Sequence, residues 1–296
     1  MTKRDMALAL LVVIAWGVHF PVIKIGTNEI PGALLVTIRF FLTGLVFLPF
    51  CRKLNAHQIK QVLIFAAYYY MSHLPLLFIA LRYLDSATVA LIMQVQVPFA
   101  IIIGWLLHNE RFGWKTTLGL ALAFAGVFFI FGSPDITSYL GLGLTVCSAL
   151  FWAFGSIHMR NIKDVDMPSM TAYSSLMAVP ATLLMSVVFE QNQLEALQSA
   201  NWLHLGSVLF YQVFLMSLMM YFWKQLMSRN SIQVVTSFSL LQPAVAVVAA
   251  HYMLGEVLST AALIGGGLAM LGVGVIIIRK IQKLDFKSLR SFIYSE

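Results

Sequence analysis

Residues 85–130 read DSATVALIMQVQVPFAIIIGWLLHNERFGWKTTLGLALAFAGVFFI, and residues 230–277 read NSIQVVTSFSLLQPAVAVVAAHYMLGEVLSTAALIGGGLAMLGVGVII. The two passages say nearly the same thing. Pro98 answers Pro243, Glu110 answers Glu256, Gly119 answers Gly265 and Gly126 answers Gly272, at an offset of about 145 residues. That is half the chain, the signature of an internal repeat. Both copies are too apolar for water. A duplicated membrane unit is a common body plan of secondary transporters, so the repeat bears on function as well as fold.

Working outward, the whole chain has the same character. Hydrophobic residues make up 60%, charged residues 10%, and mean hydropathy is +0.85. A soluble globular domain is excluded. Ten apolar runs, roughly 5–26, 31–51, 61–83, 86–108, 114–132, 139–160, 168–189, 203–225, 232–254 and 259–279, are each long enough to cross about 30 Å of hydrocarbon. The expected fold is all-α and membrane-integral. The first run continues to Gly26 without a small-residue cleavage site, so it reads as a retained helix and not a signal peptide.

The net charge of +7 points to lipid, because of where the charges fall. With a cytoplasmic N-terminus, Lys3, Arg4, Arg52, Lys53, Lys60, Arg111, Lys115, Lys163, Lys224, Arg229 and the basic tail all lie at inner ends. The outer loops carry Arg82 against Glu29, Asp85, Asp135, Glu190, Glu195 and Glu256. This positive-inside asymmetry places both termini in the cytoplasm. The tail at 281–296 reads as an anionic-lipid signal, on the inner surface or disordered. It lacks the aromatic–basic interleaving of a nucleic-acid binder, so no nucleic-acid partner is expected.

AWGVHFPVIK also aligns with FWAFGSIHMR, setting Trp16 on Trp152 and Lys24 on Arg160. The repeat is then five helices, at 1–133 and 134–280. Five is odd, so the second copy enters the bilayer from the opposite face and the copies are inverted. Pro31 and Pro168 open helices at positions where a missing amide is harmless. Ser86 and Ser231 are candidate N-caps. EQNQLEALQSAN, in the longest outer loop, has room for a short interfacial helix.

Taken together, WG-x-x-F-x-x-x-K from Trp16, RFFL from Arg39, ALIMQVQVPF, NERFGWKTTLGLALAFAGV and LGEVLSTAALIGGGLAMLGV resemble the EamA family of the drug/metabolite transporter superfamily. The resemblance covers almost the whole chain. It implies ten helices as two inverted five-helix repeats around a central cavity, in the bacterial inner (plasma) membrane. It also implies export of a small metabolite, with amino acids or derivatives such as cysteine or O-acetylserine as the expected cargo. Drugs, aromatic compounds and sugar-phosphate or nucleotide-type metabolites stay open, since one fold hosts many substrates. His19 stands where the family often shows Asn.

Arg39 is the most informative single residue. It lies about eight residues inside its helix, roughly 12 Å deep, where a charge costs about 2.5–3.5 kcal/mol on the insertion scale. Two readings stand: a bidentate anchor for a substrate carboxylate, or a structural bridge to helix-end carbonyls. Trp16, Phe20 and Lys24 share one helix face at i, i+4, i+8 spacing, as do Trp152, Ser156 and Arg160. They read as pathway stripes ending in gating cations, or as cations snorkelling to headgroups. Tyr69 and Tyr70 share a face with His73, and His19 is a second intramembrane imidazole; either histidine is a proton carrier or a packing residue.

Gln94 and Gln96 point to opposite sides of their helix, and Gln94 lies one turn before Pro98. Thr236, Ser239, Gln242 and Pro243 lie along one broad face, and Tyr211 adds pocket surface with Gln212. Pro98 and Pro243 each free a carbonyl one turn earlier, and paired mid-helix breaks point to a transporter site. Glu110 and Glu256 are expected to cap the helices that follow them. The glycines read as a packing face, in a monomer or a homodimer.

No Asp or Glu falls well inside an apolar run, so coupling falls to histidine, exchange or the solute's own gradient. No Cys/His spacing suggests a metal, and no cofactor is expected. A membrane transferase, the remaining enzymatic alternative, needs a nucleophile–base or metal–carboxylate cluster, which the sequence does not offer.

Overall fold

A computed structural model describes residues 1–108, 113–133, 135–159, 161–230, 235 and 238–293, with side chains described among these except at 107, 108 and 277–293. Among the described residues the chain is all helical. Eight helices are long and apolar enough to cross a membrane. We label them α1 (Lys3–Glu29), α2 (Gly32–Phe50), α3 (Ala56–Tyr83), α4 (Ser86–Leu106), α5 (Trp114–Phe131), α6 (Tyr139–Met159), α7 (Met167–Phe189) and α8 (Trp202–Arg229). Two shorter apolar helices follow, α9 (Phe238–Leu254) and α10 (Thr260–Ile276), and the helical backbone of α10 runs on to Ile293. The loop after α7 holds a short helix, Gln193–Ser199, in the stretch that the sequence marked.

Local chemistry sets the helix starts. Asn55 and Gln58 form a reciprocal capping box on α3. The Asp166 carboxylate accepts from the Ser169 amide at 2.8 Å to open α7, just ahead of Pro168. Other starts are held by a carboxylate from elsewhere in the chain. Glu190, at the end of α7, accepts from the amides of Ala33 and Leu34 at 2.8 and 3.2 Å. Glu256 accepts from the Ser86 and Ala87 amides, both at 2.9 Å, and from the Ser86 hydroxyl. Glu29 accepts from the Asn201 amide at 2.8 Å and meets His204. Each places negative charge on the positive end of a helix in the other half of the chain.

This corrects two expectations. Ser86 does not cap α4 with its own side chain; Glu256 supplies the acceptor. Glu256 does not cap the helix that follows it either. The start of α10 is held by Asp135, which accepts from the Ser259 amide and hydroxyl, the latter at 2.6 Å. Expectations placed on Glu110, Arg160, Ser231 and Thr236 lie outside the described residues.

The two halves meet through reciprocal contacts. Helix α2 packs on α7 and α5 on α10; α1 packs on α8 and α9, while α6 packs on α3 and α4. Thr37 on α2 donates to Thr182 on α7 at 2.8 Å. A Cβ added to Gly119 would lie 2.7 Å from the Gly272 carbonyl, and one added to Gly265 would lie 2.7 Å from the Gly126 carbonyl. Only glycine permits so close an approach of backbones.

Candidate functional site: a polar cluster around Arg39

Arg39 reaches inward from α2 among rings. Its guanidinium carbon is 6.0 Å from the Phe40 ring centre and 5.7 Å from that of Phe78. Its Nη1 is sealed from solvent with no hydrogen-bond partner, while the residue as a whole is half-buried. Cation–π contact recovers part of the desolvation cost, about 2 kcal/mol at best. It does not replace a carboxylate, and among the described residues none forms an ion pair with it. Phe40, beside that guanidinium, meets Tyr70 on α3, and Tyr69 meets both Tyr70 and His73, at 5.5 and 5.0 Å between ring centres. Arg39, Tyr69, Tyr70 and His73 therefore form one cluster, and His19 on α1 stands against Tyr211.

Helix α3 presents its residues through an irregularity. Tyr69–His73 is a π-turn directly before Pro75, which has no amide to give back to the turn above it. The turn rotates the register so that Tyr69 stands 5.0 Å from His73 and Tyr70 stands 5.1 Å from Phe40, ring centre to ring centre. His73 is buried and spoken for. Its Nδ1 is 2.7 Å from the Ser148 hydroxyl, which itself donates to the His73 carbonyl at 2.9 Å. Because that hydroxyl proton is used, Nδ1 carries the ring's proton and donates. His73 thus ties α3 to α6.

Helix α8 carries a second π-turn, Tyr211–Leu215. It lies 142 residues after the first and also begins with tyrosine. Tyr211 stacks on His19 with ring centres 6.5 Å apart and donates its hydroxyl to the Ala15 carbonyl. His19 keeps an unpartnered buried Nδ1. Gln212, the next residue, is 1% exposed, and both its amide atoms lack partners. Helix α7, packed on the first π-turn, adds the unpartnered hydroxyls of Ser174 and Ser175.

The other candidates sit around this cluster. Phe20 is core and meets His19 edge-on at 6.4 Å. Trp16 pairs with Trp223 at 4.7 Å in a separate apolar cluster with Val12 and Met219. Lys24 donates to the Leu84 carbonyl at 2.9 Å, where α3 ends. Trp152 and Ser156 are half-buried on α6, whose Gly155 comes within 3.2 Å of the Tyr69 Cβ for an added Cβ. A short 3-10 turn interrupts α4 at Met93–Val95, ahead of Pro98, and opens α9 at Phe238–Leu241, ahead of Pro243. Gln94 is buried within the first, and Gln96 is half-buried beyond it. Ser239 and Gln242 are half-buried at the second, and the Gln242 carbonyl lies 2.9 Å from a Cβ added to Gly17.

A cavity of about 400 Å³ between α4, α5 and α6 is lined by Val95, Phe99, Phe124 and Phe131 among other apolar residues, and contains none of the cluster. Among the described residues, no group of three metal-ligating side chains comes together.

Among the described residues, the Arg39 guanidinium has no carboxylate partner within an apolar helical bundle. Comparison with known proteins gives the family. The model of the EamA-like transporter family matches this chain twice, at residues 4–132 and 139–278. The chain belongs to the EamA-like transporter family. Among its relatives is a probable amino-acid metabolite efflux pump of Salmonella typhimurium, 29% identical over 92% of this chain and 94% of that protein. Another protein described in the same words, from Escherichia coli, is 27% identical over 92% and 94%. An uncharacterised transporter of Bacillus subtilis is 28% identical over 89% and 88%. A solved crystal structure superposes with a TM-score of 0.62 over 93% of this chain and 96% of that one, at 15% identity, which speaks to the fold alone.

As an EamA-like transporter, the chain shows where sequence reasoning fell short. Pro75 was available as the signal for the first π-turn. The second has no proline within it and left no mark. The adjacent serines of α7, unusual in an apolar run, were the available signal for Ser174 and Ser175.

Proposed function

We propose that this EamA-like transporter exports a small carboxylate-bearing metabolite, an amino acid or a close derivative, across the bacterial inner membrane by alternating access. The observation that carries this reading is Arg39: an interior guanidinium with an unpartnered nitrogen and no acidic neighbour. A carboxylate supplies the missing charge and two parallel hydrogen bonds. The rings of Tyr69, Tyr70 and Tyr211 offer apolar walls with polar edges to a compact solute. The names of the Salmonella and Escherichia relatives support the same cargo class.

The transport cycle rests on two inverted five-helix halves with both termini in the cytoplasm. The reciprocal contacts at Gly119, Gly126, Gly265 and Gly272 support that arrangement. Positive-inside placement then sets Glu29, Glu190 and Glu256 at the outer end, where each carboxylate clamps a helix start of the other half. Lys24 joins them through the Leu84 carbonyl as an outer gate residue. Solute moves outward when these clamps part.

The test is flux. Purified protein in liposomes should take up labelled amino acids saturably, and overexpressing cells should survive toxic amino-acid analogues. Arg39→Ala should abolish the saturable component, and Arg39→Lys should keep less than about a tenth of it, since an ammonium cannot grip a carboxylate with a planar fork. Full amino-acid flux through Arg39→Ala would contradict the reading.

A further inference from the structure

The Arg39 cluster explains one end of a bound solute. The other end needs a partner, and a single side chain fits that need. Gln212 is 1% exposed, and neither its Oε1 nor its Nε2 finds a hydrogen bond. Leaving a buried amide unpaired costs roughly 1–3 kcal/mol per group. Membrane interiors make that cost acute, because no lipid atom can answer it. Some buried polar groups of this bundle are answered, as His73 is by Ser148, Thr37 by Thr182 and Ala33, and Thr145 by the Gly141 carbonyl, while single atoms of His19, Thr43, Thr88 and Ser174 are not. Gln212 stands out as a full donor–acceptor pair held empty.

Its place in the fold is also specific. Gln212 is the second residue of the π-turn on α8, and Tyr70 is the second residue of the matching π-turn on α3. The α8 turn packs against α1 and against α2, the helix of Arg39. Its first residue, Tyr211, stacks on His19, whose Nδ1 is the other unpartnered nitrogen on this side. A π-turn holds side chains out of the ordinary helical register and recurs at functional sites. Here it holds the amide on a turn packed against the helix that carries Arg39.

We propose that Gln212 is the specificity residue of the site, resting on the carboxylate reading of Arg39. Its Oε1 accepts from the amine or hydroxyl of the solute, and its Nε2 donates to a carbonyl or hydroxyl oxygen. The class of solute follows. It is a short carboxylate with a second hydrogen-bonding group near the carboxylate carbon, neutral or zwitterionic at that end. With no acid in the bundle interior, lysine- and arginine-like cargo is rejected. Plain short-chain carboxylates are rejected as well, since they leave the amide unpaired; sites built to hydrogen-bond a group discriminate strongly against its absence.

The experiment measures labelled serine uptake into liposomes, with propionate, lactate, lysine and alanine as unlabelled competitors. For the wild type, alanine and lactate should compete at least tenfold better than propionate, and lysine should not compete. In Gln212→Leu the KM for serine should rise about tenfold while propionate competes as well as before, so discrimination is lost. Gln212→Asn should restore part of it. Gln212→Glu, isosteric with the amide, should weaken every carboxylate by adding a negative charge to the site, and should admit lysine. Melting of each purified variant guards against misfolding. Unchanged discrimination in Gln212→Leu or in Gln212→Glu would overturn the proposal while leaving the Arg39 reading intact. Wild-type protein that moves no carboxylate would overturn the reading on which it rests, and the proposal with it.

Discussion

Arg39 and His73 look alike in the sequence, as single polar residues in apolar helices, yet their surroundings set them apart. His73 is matched on every side that the packing offers. Its Nδ1 meets Ser148, and Ser148 returns a bond to its carbonyl. That is the chemistry of a tie, and a proton carrier needs a freer ring. Ser148→Ala should cost about 1 kcal/mol of stability, read as a lowered melting point of the purified protein, and should leave the KM for any transported solute unchanged. Arg39 is the opposite case, with a buried nitrogen unpaired and a face of the residue still accessible. Sequence alone left Arg39 open between anchor and bridge, because helical periodicity gives the depth of a side chain but not the atoms around it. The same limit held for Lys24, whose ammonium donates to the Leu84 carbonyl just past the end of α3.

Elements were legible wherever hydrophobic length decided them, and less so where partners did. The helix spans, the helical stretch in the loop after α7 and the openings at Pro31 and Pro168 follow from composition and proline chemistry. The capping pattern did not, because a carboxylate from a distant loop reaches each start, and no local motif encodes a contact 157 or 170 residues away. These clamps are removable. In a background lacking Cys51 and Cys147, a cysteine at Ala87 should react with maleimide several times faster once Glu256→Gln is added, because the start of α4 then loses the carboxylate charge and one of its two acceptor oxygens. An unchanged rate would show that the clamp does not hold that end.

At the other end, Asp166 resists loss of charge. Burial opposes its ionisation, but the Ser169 amide and hydroxyl and the Arg52 guanidinium at 3.5 Å outweigh it and hold its carboxyl below the ordinary value. The α2–α7 contact there therefore persists through physiological pH.

Across the whole molecule, the repeat seen in the sequence reappears as backbone contact. Glycines spaced for close packing on α5 and α10 meet one another crosswise. Substituting leucine at Gly119 or Gly265 would drive side-chain atoms into a facing carbonyl, so either change should destabilise the bundle by at least 1–3 kcal/mol. Gly267→Ala, where an added Cβ meets open space, should melt as the wild type does. The cargo was less legible than the architecture, since the residues shared between halves are mostly scaffold. What distinguishes the halves is where they differ, as at Tyr70 and Gln212 on the paired π-turns.

The central claim is that an interior guanidinium awaits a solute carboxylate, and counterflow tests it most directly. Liposomes loaded with unlabelled amino acid and diluted into trace label should show a transient overshoot with wild-type protein. Arg39→Ala protein of equal melting temperature should show none. An equal overshoot in both would contradict the account.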